Sequence, residues 1–317
     1  MKVLWLGPNY RHRFNFHHEL FADEAARQHE VIRYGHTIDN TPACALWGEG
    51  THVPDLVEWC GGCDVVVVQH LRHCTDYTGL DEVKVPTVAL IVDYFPRNYD
   101  MKNRLLNRSR FDLACFPAQH QVLAAQQFQF SAQLSHDMQT MWLPFSVDID
   151  TFRVLFLTRR YDAMAVFSGN PNGGYPNREA VARVVRGLDR QTVTRVAYNN
   201  RQKITHEDYI RLINQSKIAI ASNDRHGSVN LKHLEIMACG ALLMTDEPHD
   251  FQAMGYEAGK HYVSYEHPSE IPGLVERCAD GLAERAPIAG TGQIYTQTHH
   301  NTRVRVKQLF DKITELV

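Results

Sequence analysis

Residues 218–248 read IAIASNDRHGSVNLKHLEIMACGALLMTDEP and contain one complete copy of the pattern that predicts the fold. An apolar run, 218–221, predicts a buried strand, and a polar loop that contains glycine follows it. Residues 230–239 have the composition of a helix, and Gly240 can adopt the left-handed conformation that ends one. A second apolar run, 241–245, predicts the next strand. The segment therefore predicts a strand–loop–helix–strand unit of a parallel sheet.

The same alternation of short apolar runs and helical stretches extends in both directions from this unit. Upstream it predicts a helix over 16–28 and strands over 2–7, 30–34, 63–69, 88–93, 113–116 and 143–145. Downstream it predicts strands over 163–168 and 193–198 and helices over 178–188, 207–215, 269–280 and 299–316. The pattern loosens over 148–160, where we place a domain boundary. We predict an α/β fold of two doubly wound domains, 1–148 and 149–298, with a terminal helix over 299–317.

The composition is that of an ordinary globular protein, long enough for two α/β cores. Hydrophobic residues make up 44% of the 317, and 33 basic residues nearly balance 36 acidic ones, for a net charge of −3. No global excess of positive charge indicates a polyanionic partner, although a local basic patch stays open. Neither a signal peptide nor a membrane span is evident, so we expect a cytoplasmic protein with reduced cysteines.

The loop and helix at 222–239 form a candidate anion site. The free N–H groups and the dipole of a helix N-terminus favour a phosphate, and Asn230 stands where this helix begins. Lys232 adds a positive charge for a diphosphate, and Glu235 can accept hydrogen bonds from the two hydroxyls of a ribose. Each side chain alone is more often a solvated helix charge, but their combination after a predicted strand favours donor binding.

A second loop at the end of a predicted strand has the sequence SGNPNGG, residues 168–174. Its backbone, from Ser168 and Gly169 onward, can approach a diphosphate, and Arg178 follows as a further phosphate ligand. The alternative is a flexible turn. Because ligands bind outside the carboxyl ends of parallel strands, both loops are expected to line one nucleotide-sugar site.

With these residues the chain resembles GT-B glycosyltransferases, and specifically the CgeB-like group associated with spore maturation. The matching residues are Tyr209, Lys232, Glu235 and the runs 143–148, 161–169, 175–178, 214–218, 240–242 and 245–246. The resemblance implies two Rossmann-like domains that face each other across a cleft, with a terminal helix that crosses back to the first. It also implies a nucleotide-sugar co-substrate, with UDP as the favoured carrier, and no other cofactor.

One departure from that resemblance concerns the stereochemistry of transfer. Many retaining GT-B enzymes have a glutamate eight residues before the ribose-binding one, and here that position is Gly227. We therefore expect inversion at the anomeric carbon, although retention stays open.

The first half offers a candidate catalytic base. Asp93 ends a predicted strand, where a carboxylate can take the proton of an acceptor hydroxyl; the alternative is a helix cap. The segment 87–104 is also similar to one in the DNA β-glucosyltransferases of T-even phages, an inverting GT-B group with an aspartate base. In that resemblance the counterparts are Asp93, 95–96 and 102–104.

Residues 8–19 are dense in aromatic, histidine and arginine side chains and follow the first strand. We expect acceptor binding from Arg11, Arg13, His18 and Glu19, together with Arg97. The arginine, histidine and tyrosine side chains of this loop could also contact nucleic-acid phosphates. His18 or Glu19 is the rival base. The alternative is a solvated loop packed over a few aromatic residues.

Two sequence patterns resemble metal-binding motifs, but neither is predicted to bind a metal. Asp148-Ile149-Asp150 lies in the predicted link rather than after a nucleotide-binding strand, so no catalytic metal is expected. Cys60 and Cys63 have redox or zinc spacing, but no second pair of ligands stands nearby, and a turn is the interpretation.

The sequence as a whole predicts transfer of a sugar from a nucleoside diphosphate sugar to an acceptor hydroxyl. DNA with a hydroxymethylated base, a glycan, a protein and a small molecule all stay open as acceptors. A nucleotide-sugar epimerase and a non-catalytic two-domain binding protein are the alternative functions.

Overall fold

A computed structural model of the chain describes residues 1–7, 16–35, 51–69, 77–92, 94, 99–130, 137–169, 175–199, 202–223 and 226–317. These residues form two compact units. Unit 1 comprises Met1–Pro144 and Thr302–Val317, and unit 2 comprises Phe145–Asn301. The limits expected from the sequence, 148 and 299, lie a few residues from these boundaries.

Unit 1 is built on a six-stranded parallel sheet. Its principal strands are β1 (Lys2–Leu6), β2 (Glu30–Tyr34), β4 (Val65–Gln69), β6 (Thr87–Leu90), β7 (Leu113–Phe116) and β8 (Gln139–Trp142). Two short strands, β3 (Thr51–His52) and β5 (Tyr77–Thr78), pair separately. The sheet order is β2-β1-β4-β6-β7-β8. The chain reverses direction across the sheet between β1 and β4, as in doubly wound folds.

Helices cover both faces of this parallel sheet, and its strands accordingly carry apolar side chains on both sides. In β1, Leu4 and Leu6 point to one face, whereas Val3 and Trp5 point to the other. The first face is covered by α2 (Val53–Trp59), α3 (Tyr99–Ser109) and α4 (Gln119–Phe130). The valine run 65–68 divides in the same way, which follows from the two-residue period of a strand.

The opposite face is covered by helices from the two ends of the chain, α1 (Phe16–Gln28) and α10 (Thr302–Thr314). Leu309 and Phe310 of α10 pack against the strand residues on this face. The terminal helix is therefore part of unit 1, although unit 2 precedes it in sequence.

Unit 2 contains a five-stranded parallel sheet in the order β10-β9-β11-β12-β13. Its strands are β9 (Tyr161–Ser168), β10 (Thr192–Ala197), β11 (Ser216–Ile220), β12 (Leu242–Thr245) and β13 (Val263–Ser264). Its helices are α5 (Pro176–Arg186), α6 (His206–Asn214), α7 (Leu231–Ala238), α8 (Ile271–Asp280) and α9 (Leu282–His299). Both units are doubly wound, and the predicted α/β fold class is confirmed.

Some predicted boundaries were wrong. The strand expected over 143–145 lies earlier, as β8, because Pro144 has no N–H to donate to a neighbouring strand. The last predicted helix begins at Thr302, since His299 is the end of α9. Helix α9 contains Pro287 and two glycines, so its helical propensity is low, and its packing on α7 and β12 stabilises it. Within the described ranges, none of the helices combines the length and hydrophobicity needed to span a bilayer.

Candidate functional site

The candidate site lies at the carboxyl ends of the strands of unit 2. Strands β9 and β11 are neighbours, and β10 lies on the far side of β9, so the chain changes direction between β9 and β11. Ligands of doubly wound folds bind outside this point. Ser168 and Gly169 follow from β9 there, and Ser222 lies just beyond β11.

Asn230 caps helix α7, which begins directly after it. Its side-chain oxygen accepts a hydrogen bond from the Lys232 N–H at 3.1 Å. Its side-chain nitrogen donates to the Ser222 carbonyl oxygen at 2.8 Å, which fixes the cap to the end of β11. The N-terminus of α7 is therefore held at the switch point, with its dipole directed toward the same edge of the sheet.

His233 joins the start of α7 to β12. Its Nδ1 accepts from the Asn230 N–H at 3.1 Å, and its Nε2–H donates to Thr245 Oγ1 at 2.9 Å. The Thr245 hydroxyl itself donates to the Asp246 carbonyl oxygen, which settles the direction of that bond. Burial lowers the pKa of His233 to about 3; the Asn230 backbone opposes this shift, and the charge of Arg178 adds to it. The imidazole is therefore neutral at physiological pH.

We expect His233→Gln to flatten the pH dependence of stability in acid. A histidine in the unfolded chain takes up a proton near pH 6.5, whereas His233 in the folded chain resists protonation down to about pH 3. The unfolded state binds more protons in this window. The contribution of neutral His233 to the free energy of unfolding is therefore fully present above pH 6.5 and is lost as the pH falls. The free energy of unfolding changes by up to about 1.4 kcal/mol per pH unit for this one proton. Thermal unfolding of both proteins across this window checks the prediction, with the exposed His267→Gln as control, and equal slopes in wild type and His233→Gln would contradict it.

Asp246 follows β12 and connects three segments of the site. One carboxylate oxygen accepts from Asn177 at 2.7 Å and from the Ser222 hydroxyl at 3.2 Å. The other accepts from the Asn223 N–H at 2.8 Å. The first turn of α5 and the loop after β11 are thereby held together by a single carboxylate.

Arg178 lies in the first turn of α5, and its side chain contacts the end of β9. One of its terminal nitrogens donates to the Ser168 carbonyl oxygen at 3.3 Å. Its guanidinium carbon lies 4.1 Å from the centroid of the Tyr175 ring, in a cation–π contact. These contacts orient the guanidinium at the edge of the sheet.

Lys232 is half-buried, and its Nζ lies 4.1 Å from the centroid of the Tyr209 ring. Burial lowers the pKa of Lys232 to about 8, and the carboxylate of Glu235 opposes that shift. The positive charges of Arg178 and Lys203 lower it further, so both lie close enough to Lys232 to repel its ammonium. Burial also lowers the pKa of Lys203.

Glu235 lies one turn after the start of α7 and is also half-buried. Burial raises the pKa of Glu235 to about 7, while the Lys232 ammonium and the Tyr209 hydroxyl oppose the rise. Burial and the nearby Glu235 raise the pKa of Tyr209 well above its ordinary value. Ionisation of Glu235 is thus unfavourable in the unliganded protein, and such perturbed pKa values are common at functional sites.

This arrangement suits a nucleoside diphosphate. Arg178, Lys203 and Lys232 place an excess of positive charge beside a helix N-terminus, which is the environment that stabilises a diphosphate. Glu235 offers two acceptor oxygens to a diol. Lys203 was missed by the sequence analysis, because it follows β10 in a segment without a recognisable motif.

The residues expected to bind the acceptor fall in unit 1. Asp93, Arg11, Arg13 and Arg97 lie outside the described residues. The structure places Glu19 in a buried ion pair with Arg33, whose second terminal nitrogen contacts Asp23.

His18 is buried, and its carbonyl oxygen accepts from the Gln69 side chain at 2.9 Å. Gln69 also accepts from the Trp5 indole at 2.9 Å. These contacts join α1 to the switch point between β1 and β4.

The two patterns discounted as metal sites have structural positions. Asp148 is buried and accepts from the Thr151 N–H at 2.8 Å, so it caps a turn in the segment that opens unit 2. Cys60 and Cys63 flank a turn after α2, as predicted, and both are free thiols. In the part of the chain that the structure describes, no group of three metal-ligating side chains occurs.

Comparison with known proteins adds a family match and a fold. Residues 157–311 match the sequence model of a family described as glycosyl transferase-like. The structure of sucrose-phosphate synthase from Thermosynechococcus elongatus superposes with a TM-score of 0.69 at 11% identity, over 100% of this chain and 99% of that chain. The chain has the GT-B fold. The family match over 157–311 and this fold together support a glycosyltransferase. No curated protein sequence matches the chain.

Two further structures with this fold were solved with nucleotide ligands. HepE from Anabaena, in complex with UDP and glucose, superposes with a TM-score of 0.66 at 13% identity, over 100% of both chains. An α-glucosyltransferase, in complex with UDP-glucose and DNA containing an abasic site, superposes with a TM-score of 0.66 at 10% identity, over 99% of both chains.

Proposed function

We propose that this GT-B enzyme transfers a sugar from a UDP-sugar to an acceptor hydroxyl. The observation that carries the proposal is the convergence of Arg178, Lys203 and Lys232 on the edge of the unit 2 sheet where α7 begins. Such a cluster is costly in the unliganded protein, because like charges repel and burial disfavours the charged forms of Lys203 and Lys232. A bound diphosphate would offset both penalties, and the UDP complexes of structures with the same fold support uridine as the nucleoside.

In this proposal, different residues bind the ribose and the diphosphate of the donor. Glu235 accepts hydrogen bonds from the ribose hydroxyls, which would help to stabilise a carboxylate whose pKa is raised by burial. Lys232 and Arg178 neutralise the diphosphate, together with the N–H groups at the start of α7 that Asn230 positions. The backbone of Ser168 and Gly169 approaches the diphosphate from the end of β9.

We further propose an inverting displacement with Asp93 as general base. Inversion needs one in-line attack by the acceptor oxygen, whose proton passes to a base as the bond to the leaving diphosphate breaks. Gly227 has no carboxylate to offer from the donor side, which supports inversion over retention. Arg11, Arg13, His18, Glu19 and Arg97 stay proposals for acceptor binding.

Hydroxymethylated DNA is the acceptor to test first, because one structure with this fold was solved with both UDP-glucose and DNA. Incubation of the protein with UDP-glucose and each acceptor class separates the candidate functions. Transfer releases UDP and glycosylates the acceptor, an epimerase changes the sugar, and a binding protein gives no turnover. Absence of any turnover with all UDP-sugars would contradict the proposed function.

We expect chelators to leave turnover within about twofold of its starting value. Lys232, Arg178 and the N-terminus of α7 stabilise the leaving diphosphate electrostatically, so no metal ion is required in this proposal. Initial rates with and without excess EDTA check the expectation, with magnesium and manganese added back as controls. Complete loss of turnover in EDTA that either metal restores would make Asp148 and Asp150 metal-ligand candidates again.

A further inference from the structure

Several hydrogen bonds join the loops that follow β11 and β12, in addition to the contact of Ser222 with Asp246. The Asn223 N–H donates to Asp246 at 2.8 Å, and the Asn223 side chain donates to the Glu247 carbonyl oxygen at 3.1 Å. Farther along, the His249 N–H donates to the Gly227 carbonyl oxygen at 2.9 Å. Because Gly227 lies shortly before α7, the loop after β12 is held against the segment that leads into the candidate donor site.

The imidazole of His249 occupies the space that a side chain at position 227 would need. Gly227 has a φ of +71°, which L-amino acids with a side chain rarely adopt. A Cβ atom there would lie 2.5 Å from Cε1, 2.7 Å from Nε2 and 2.8 Å from Nδ1 of the His249 ring. A side chain at 227 would therefore displace the ring from its present position.

The ring of His249 differs in its surroundings from that of His233. His233 is buried, and both of its nitrogens are hydrogen-bonded within unit 2. His249 is exposed, and its ring forms no hydrogen bond or ion pair with any residue in the described ranges. The backbone of His249 is thus held beside Gly227, and within the described residues neither ring nitrogen has a hydrogen-bond partner.

We propose that His249 contacts the sugar of the donor and helps to determine which sugar is accepted. This inference rests on the proposed function, which places the diphosphate at the start of α7 and leaves the sugar beyond it. A neutral imidazole has one donor and one acceptor nitrogen, so it can bind adjacent hydroxyls of a hexose. The loop after β12 thereby supplies a polar group where position 227 has no side chain.

The test compares the affinities of UDP and a UDP-sugar by calorimetry. The probe is whichever of UDP-glucose, UDP-galactose and UDP-N-acetylglucosamine turns over fastest. His249→Ala is expected to weaken binding of that UDP-sugar about three- to tenfold, the effect of one neutral hydrogen bond. Its affinity for UDP should stay within about twofold, because UDP lacks the sugar. His249→Gln, which keeps a donor and an acceptor, should recover part of the loss.

A second variant displaces the ring without removing it. Because a φ of +71° strains an alanine, Gly227→Ala is expected to weaken binding of both ligands, and that of the UDP-sugar more strongly. The exposed His299→Ala is the matched control that should change neither affinity. In His249→Ala, equal losses for UDP and UDP-sugar, or no loss for either, would overturn the inference while leaving the proposed function intact. Failure of the wild-type protein to bind UDP would overturn both.

Discussion

Replacement of Asp93 with asparagine is expected to lower turnover by about 10²–10⁴-fold, the contribution that general-base catalysis typically makes. The amide keeps the size of the carboxylate but cannot take the acceptor proton. The affinity for the donor should barely change, because Asp93 makes no phosphate contact in the proposed mechanism. Steady-state kinetics together with UDP calorimetry measure the two effects separately.

The control for this variant is Asp100→Asn, an exposed aspartate in the first turn of α3. It makes the same chemical change in the same unit, and turnover should stay near the wild-type value. NMR of the product adds an independent criterion, because the proposed single displacement inverts the anomeric configuration. A retained configuration, or full activity in Asp93→Asn, would contradict the assignment of the base.

Glu235→Ala should weaken UDP binding by at least about tenfold. Loss of a charge-assisted hydrogen bond costs about 1.5–3 kcal/mol, and the proposed contact joins a carboxylate to ribose hydroxyls. The half-buried Lys232 also loses a neighbouring charge that raises its pKa, so a smaller loss of phosphate affinity accompanies the first. Calorimetry with UDP measures the sum.

Glu276→Ala in α8 is the matched control, because Glu276 is an exposed glutamate of the same unit. Its affinity for UDP should equal that of the wild type. A folded Glu235→Ala variant with unchanged affinity would move the ribose contact to another residue. Uridine diphosphate and uridine monophosphate distinguish the two losses, since only the former places both phosphates beside Lys232.

Much of the fold could be predicted from the sequence because parallel strands buried on both faces are continuous apolar runs. The run of four valines, 65–68, is such a case, and β4 lies where it predicts a strand. Helix α9 could not be predicted in this way, because its proline and glycines oppose helix formation and only packing on α7 and β12 stabilises it. Local propensity and tertiary packing disagree there, and packing decides.

Part of the candidate site could likewise be predicted from the sequence, and part could not. Lys232 and Glu235 are three residues apart on one short helix, so their spacing predicts that they lie on one face, and Asn230 stands where a cap of that helix is expected. Lys203 comes from the segment after β10, and only the folded sheet brings its charge near Lys232. The contact of His249 with Gly227 has the same origin, since a backbone hydrogen bond between two loops leaves no periodic signal in the sequence.

The most direct test of the central claim is calorimetry of the wild-type protein with UDP, GDP and ADP, each titrated separately in EDTA. The cation cluster at the start of α7 predicts binding of a nucleoside diphosphate, and the proposed donor predicts that UDP binds and that the other two bind much more weakly. No heat of binding for any of the three at millimolar concentration would contradict the account.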